Sequence, residues 1–123
     1  MNRSPYHVPP GWWSLIDGYL EKARALDPNV RVEAKEKYAV CQVIFITRQQ
    51  DVEEALSVLE MEVEGASEFI CENCGNPGKR KVVEECDWLL AMCDHCFNAD
   101  FRERRRIAER TREEYLKIQE KLE

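Results

Sequence analysis

The stretch Cys71-Glu72-Asn73-Cys74, then eighteen residues, then Cys93-Asp94-His95-Cys96 decides how this chain is read. Two C-x-x-C knuckles at that separation follow the four-cysteine zinc-ribbon template, in which each knuckle offers two thiolates to one tetrahedral Zn²⁺. The two-residue spacing brings both sulfurs of one tight turn to the roughly 2.3 Å bonding distance of a single ion. Gly75, directly after the first pair, lets the backbone leave that turn with positive φ. Between the knuckles, residues 79–84 and 88–92 are short enough for two antiparallel strands, with Glu85, Cys86 and Asp87 at the bend. Four thiolates leave no vacancy for water or substrate, so the expected cofactor is one structural Zn²⁺ held by Cys71, Cys74, Cys93 and Cys96. Paired disulfides or redox thiols are the competing reading, but a thioredoxin-like pair would sit in a βαβ pattern that is missing here.

Three further side chains compete for the same role. Cys86 lies between the knuckles and offers a substitute for one of the four, although no second C-x-x-C surrounds it. His95 sits inside the second knuckle, where a Cys93/His95 pairing is an alternative to Cys96. Cys41 lies in the apolar residues 40–46 and reads as a buried, inert thiol.

Composition narrows the rest. At 123 residues and 44% hydrophobic content the chain can bury one modest core, which a zinc ion would supplement. A formal net charge of −6 argues against a general polyanion binder, because such affinity comes from positive charge facing phosphates. Six cysteines with metal spacing and no cleavable apolar N-terminal segment point to a reducing, cytoplasmic compartment. The apolar runs fall far below the roughly 20 residues of a membrane span.

Residues 1–10 hold Pro5, Pro9 and Pro10 and read as an extended arm, with His7 exposed to solvent. From Gly11, the steps Trp12, Leu15, Ile16, Tyr19, Leu20, Ala23 and Leu26 form the stripe of an amphipathic helix that Asp27-Pro28-Asn29 ends. Trp12 and Trp13 are adjacent and cannot face the same way, so one enters the core and the other, Trp13, covers the arm or a partner. Residues 30–35 alternate like a half-buried strand. A turn near Glu36 and Lys37 then returns the chain into residues 38–47, which are apolar on both faces and read as the more buried strand. Asp51 opens a second helix whose seam is Val52, Leu56, Leu59, Val63, Ala66 and Ile70; it runs into Cys71 and docks on the ribbon. Glu53, Glu54, Glu60, Glu62, Glu64 and Glu68 cover its outer side. They make either a solvated face or an acidic surface that docks on a basic partner or mimics nucleic acid. None of these carboxylates comes with a nucleophile or a pocket signature, so no enzyme chemistry is expected.

Residues 97–123 contain neither Pro nor Gly and read as one long helix. Phe101, Ala108, Tyr115, Ile118 and Leu122 fit a seven-residue repeat that Arg104 and Thr111 interrupt. Such a helix either docks along the body or pairs with a second copy as a homodimer. Its first half carries Arg102, Arg104, Arg105, Arg106, Arg110 and Arg112, which together with Lys79, Arg80 and Lys81 make the case for nucleic acid. Against that case stand the interleaved glutamates, the overall charge and the lack of an aromatic-lined strand for stacking bases.

Taken together, Gly11-Trp12-Trp13-Ser14-Leu15-Ile16-Asp17, Lys35-Glu36-Lys37-Tyr38, Cys71-Glu72-Asn73-Cys74-Gly75-Asn76-Pro77-Gly78 and a late Cys93 with a ligand three residues on resemble a group of short bacterial and phage zinc-ribbon proteins. The likeness spans residues 11–96 and leaves the arm and the final helix uncovered. Cys96 stands where a histidine is common in that group, which keeps a zinc ligand. The resemblance implies a zinc-containing α+β domain in a bacterial or phage setting and attaches no activity to it.

The expected architecture is α+β in four parts: an arm over 1–10, an α-β-β-α module over 11–70, a zinc ribbon over 71–96 and a charged helix over 97–123. The expected function is a non-enzymatic zinc-binding interaction module, a small bacterial or phage regulator or inhibitor that engages another protein. Its contact residues are expected among Trp13, Glu53, Glu60, Glu64, Lys79, Arg80, Lys81, Arg102, Arg105 and Arg106. The alternative is a nucleic-acid-binding regulator using the ribbon lysines and arginine with the arginine-rich helix.

Overall fold

The apolar steps after Gly11 wind a helix, α1 (Trp13–Leu26), entered through a short 3-10 turn at Pro10–Trp12. In the computed structural model, which describes residues 6–122, the chain is an α+β protein with two separate antiparallel hairpins. Both tryptophans at the start of α1 are completely buried. They face different ways, as adjacent residues must, but each direction is covered. Trp12 Nε1 donates to Ile70 O at 3.0 Å, and Trp13 Nε1 donates to Val8 O at 2.9 Å. Trp13 is therefore core, and the expectation that it lies on a partner surface is corrected.

The cover over Trp13 comes from the arm. Tyr6 and Val8 are buried, and His7 pairs in parallel with Lys35 while its side chain stays exposed. Residues 6–10 thus run along the body rather than away from it; residues 1–5 of the expected arm lie outside the described residues.

Strands β1 (Arg31–Lys37) and β2 (Val40–Ile46) pair with Arg31 opposite Ile46 and Lys37 opposite Val40. The turn is Tyr38 and Ala39, two residues beyond the place the charges suggested. Both have positive φ, 54° and 65°, the geometry that matches strand twist in a two-residue hairpin. Glu36 Oε2 accepts from Ala39 N at 2.9 Å and so stabilises a turn made without glycine. In β2 only one face is buried: Cys41, Val43 and Phe45 point inward while Ile44 is 51% exposed. It is the more buried strand of the pair, as its apolar content predicts, but its second face stays partly open because helical cover reaches one side of the hairpin only.

That cover is α2 (Glu53–Ser67), which packs on β2 and α1 through Leu56 and Val63. It stops at Ser67 rather than running to Ile70. Ser67 Oγ donates to Glu64 O at 2.7 Å and accepts from Cys41 N at 2.8 Å, tying the helix end to the hairpin. Ile70 then bridges Pro77.

The ribbon strands β3 (Lys79–Val83) and β4 (Trp88–Met92) pair as the spacing predicts, Lys79 opposite Met92 and Val83 opposite Trp88. After them come two helices instead of one, α3 (Asp94–Asn98) and α4 (Phe101–Leu122). The break has a local cause: Asp100 Oδ1 accepts from Glu103 N at 2.8 Å and caps a new helix. Helix α4 docks along the body through Ile107 and Tyr115. Tyr115 meets Trp13 edge-on with ring centroids 5.2 Å apart. Its hydroxyl donates to Asp17 Oδ2 at 2.5 Å, and Tyr6 OH donates to the same carboxylate. No helix among the described residues is long and apolar enough to cross a membrane.

Candidate metal centre

The first knuckle is shaped by the backbone before any ion is considered. Cys71 N donates to Asn76 O at 2.7 Å and Gly75 N to Cys71 O at 2.9 Å, closing a tight loop in which Gly75 has φ 83°. Glu72 joins this loop to β4 twice: its N–H donates to Ala91 O at 2.8 Å, and its Oε1 accepts from Ala91 N at 3.0 Å. Burial pushes the Glu72 carboxyl up to about 7, against the lowering effect of that Ala91 N–H. Gly11 closes the loop from outside, with its N–H 2.7 Å from Glu72 O.

The second knuckle opens α3. Cys93 is its N-cap, with Sγ accepting from Cys96 N at 3.4 Å, and Phe97 N donates to Cys93 O at 3.0 Å. The two knuckles meet with Cys74 Sγ 3.7 Å from Cys93 Sγ. All four sulfurs, of Cys71, Cys74, Cys93 and Cys96, lie within 4.8 Å of one another. A tetrahedron with Zn–S bonds of about 2.3 Å has edges of about 3.8 Å, so the Cys74–Cys93 separation matches such an edge and all four sulfurs are close enough to share one ion. These four cysteines can hold a metal ion. Cys71 and Cys96 are wholly buried, Cys74 and Cys93 half-buried. Burial pushes the Cys74 thiol up to about 11 and raises Cys96 as well, so thiolates at these positions need a cation beside them. Cys93 is held below the usual thiol value despite its burial, because Cys96 N–H donates to its sulfur.

The competing ligands fall away. Cys86 is exposed on the bend between β3 and β4, and His95 is exposed beside the site but is no member of the sulfur cluster. Cys41 is fully buried in the main core, and burial pushes its thiol up to about 12.

Two residues around the centre escaped the reading of the chain. Asn73 Nδ2 reaches Cys96 Sγ at 3.5 Å and Arg104 O at 3.0 Å, joining the first knuckle to the second and to α4. Arg104 donates to Cys96 O at 3.0 Å and Phe97 O at 2.9 Å, capping the end of α3. The signal was present as the arginine that interrupts the apolar repeat: the stripe breaks where α4 crosses open carbonyls.

The remaining charged candidates are scattered. Glu53 is exposed, whereas Glu60 Oε2 accepts from Phe45 N at 2.8 Å and Glu64 Oε1 from Gln42 Nε2 at 3.0 Å. Lys79 is exposed. Arg80 donates to Tyr38 O at 2.9 Å and pairs with Glu68 at 3.6 Å, and Lys81 pairs with Asp94. On α4, Arg105 pairs with Glu109 at 3.4 Å and Arg106 with Glu103, while Arg102 stays exposed with no ion pair among the described residues. Comparison with protein-family models, with curated proteins and with solved structures gives no match.

Proposed function

We propose that this chain is a non-enzymatic module, clamped by one structural Zn²⁺, that acts by docking on another protein as a small bacterial or phage regulator or inhibitor. The observation that carries this reading is the outside of the scaffold. Tyr38, Met61, Phe69, Trp88 and Phe101 are between 60% and 78% exposed, and large apolar side chains held on a rigid surface are the anchors that protein interfaces use. Four soft sulfur donors in tetrahedral reach favour Zn²⁺, and a full set of four favours a structural over a catalytic ion. The resemblance of residues 11–96 supports the bacterial or phage setting.

Arg102 and Arg110, exposed and without ion pairs among the described residues, favour the second reading, a nucleic-acid-binding regulator. The neighbouring Arg105 and Arg106 are matched by acids one turn away, which lends that reading less support.

The deciding experiment is an affinity capture from bacterial lysate with the zinc-loaded protein, with and without nuclease. A stoichiometric protein that survives nuclease is the expected result. Retention of nuclease-sensitive material alone, falling steeply with added salt, overturns it in favour of nucleic acid.

A further inference from the structure

Helix α2 concentrates the charge of the molecule. Residues 51–68 hold seven acids and no lysine or arginine, against a net charge of −6 for the whole chain, so the remainder is close to neutral. Among the described residues, Glu68 alone of these acids has a basic partner, Arg80. On the side of α2 that meets the hairpin, Ile44 and Met61 line a shallow groove with Glu60 and Glu64 along its wall. Ile44 is 51% exposed and Met61 70%, and Val58, one turn before Met61, is 50% exposed.

Both carboxylates of the wall are fixed in place. Glu60 is held by Phe45 N and Glu64 by Gln42 Nε2, each through one oxygen. The other oxygen has no hydrogen-bond donor among the described residues. An apolar floor with rigid carboxylates beside it is complementary to a cationic amphipathic segment. The backbone decides what form that segment takes. An extended peptide adding to the β2 edge needs its outward N–H groups, but Cys41 N is already bonded to Ser67 Oγ and Phe45 N to Glu60. A helix makes its own backbone bonds and docks by side chains alone. A second copy of this chain would bring a second α2 of the same charge.

We infer that the Ile44–Met61 groove is the docking site for a basic amphipathic helix of another protein, its apolar side chains against Ile44, Val58 and Met61 and its lysines or arginines against Glu60 and Glu64. This inference rests on the protein-docking reading above and names the surface and the partner chemistry for it.

The test titrates the ¹⁵N-labelled, zinc-loaded full chain with a synthetic helix of leucine and lysine in amphipathic order, and with a scrambled peptide of the same composition. The expected result is chemical-shift change centred on Ile44, Val58 and Met61, binding at least tenfold tighter for the amphipathic order, and at least tenfold weaker binding by Met61→Lys. Met61 is exposed, so this variant keeps the melting temperature and zinc content of the parent. Equal binding of the scrambled peptide, shifts centred on α4 or the ribbon, or unchanged binding by Met61→Lys overturns the inference. Self-association that Met61→Lys abolishes also overturns it, since the groove is then an interface between copies. Lysate capture with the Met61→Lys bait separates the two levels. If it retains the same protein as the parent, the docking reading stands and this groove falls; if neither bait retains a protein, the docking reading itself falls.

Discussion

At the residue scale, Cys71 and Cys93 illustrate how much one atom type can decide. Each supplies a soft donor from a different knuckle, and metal binding in small zinc modules contributes about 10–16 kcal/mol of folding free energy. Cys71→Ser and Cys93→Ser are therefore expected to lose the ion and the cooperative melting of the ribbon, whereas Cys86→Ser, on an exposed bend, keeps both. Metal stoichiometry and thermal melts of the three variants check this; one retained equivalent with unchanged melting in both knuckle variants would sink the assignment. Gly11 makes a different demand. A Cβ added there would lie 2.1 Å from Cys71 O and 2.5 Å from Glu72 C, and backbone atoms cannot swing aside as a side chain does. Gly11→Ala is expected to destabilise by about 1–3 kcal/mol, read as a lower urea midpoint at equal metal content. The ligands were legible from spacing, because two sulfurs in one turn are neighbours in the chain. The role of Gly11 was not, because its obstacle comes from residues about sixty positions away.

At the scale of elements, α4 shows why periodicity is an incomplete guide. Its apolar repeat placed Phe101, Tyr115 and Leu122 on the packing stripe; Tyr115 is buried as that predicts, yet Phe101 and Leu122 are 78% and 76% exposed, and Ile107, off the repeat, is buried. The stripe rotates because α4 must also satisfy the end of α3, where Arg104 bonds Cys96 O, Phe97 O and Ala99 O. Arg104→Ala is expected to cost about 1–3 kcal/mol, as charged hydrogen bonds to half-buried carbonyls are lost. It should also speed amide exchange over residues 103–107. Arg104→Lys should not restore protection, since a single ammonium cannot reproduce the planar fork. Arg106→Ala removes only an exposed pair and stays within about 0.5 kcal/mol of the parent. Equal effects at 104 and 106 would show that the capping contacts contribute nothing. Within α2, the glutamate row was legible as acidic, but that Glu60 and Glu64 turn to the hairpin follows only from the donors β2 leaves on its outer edge.

At the scale of the whole molecule, one carboxylate gathers distant parts. Asp17 of α1 accepts from Tyr6, Tyr115 and Gln119, joining the N-terminal segment and α4 to the body. Burial first, and then the hydrogen bond to Asp17, raises both phenols well above their ordinary value near 10. The folded chain thus holds these protons more tightly than the unfolded chain. Their contribution is complete below about pH 10 and is lost as pH rises further, because only the unfolded state releases the protons. The urea midpoint is expected to fall between about pH 10 and pH 11, and to fall less steeply in Tyr115→Phe; parallel slopes would remove the network from the account of alkaline stability. The α+β class, the two knuckles, the two hairpins and the three longer helices were legible in order along the chain, because spacing, alternation and helical period are relations between near neighbours; the short α3 was not. Tertiary structure alone decided that both tryptophans are core, that the segment at Tyr6 and Val8 lies against the body, and that α4 docks rather than projects. The reason is distance along the chain: Trp12 meets Ile70 across 58 residues and Tyr115 meets Asp17 across 98, so burial at each depends on a surface that no local pattern describes.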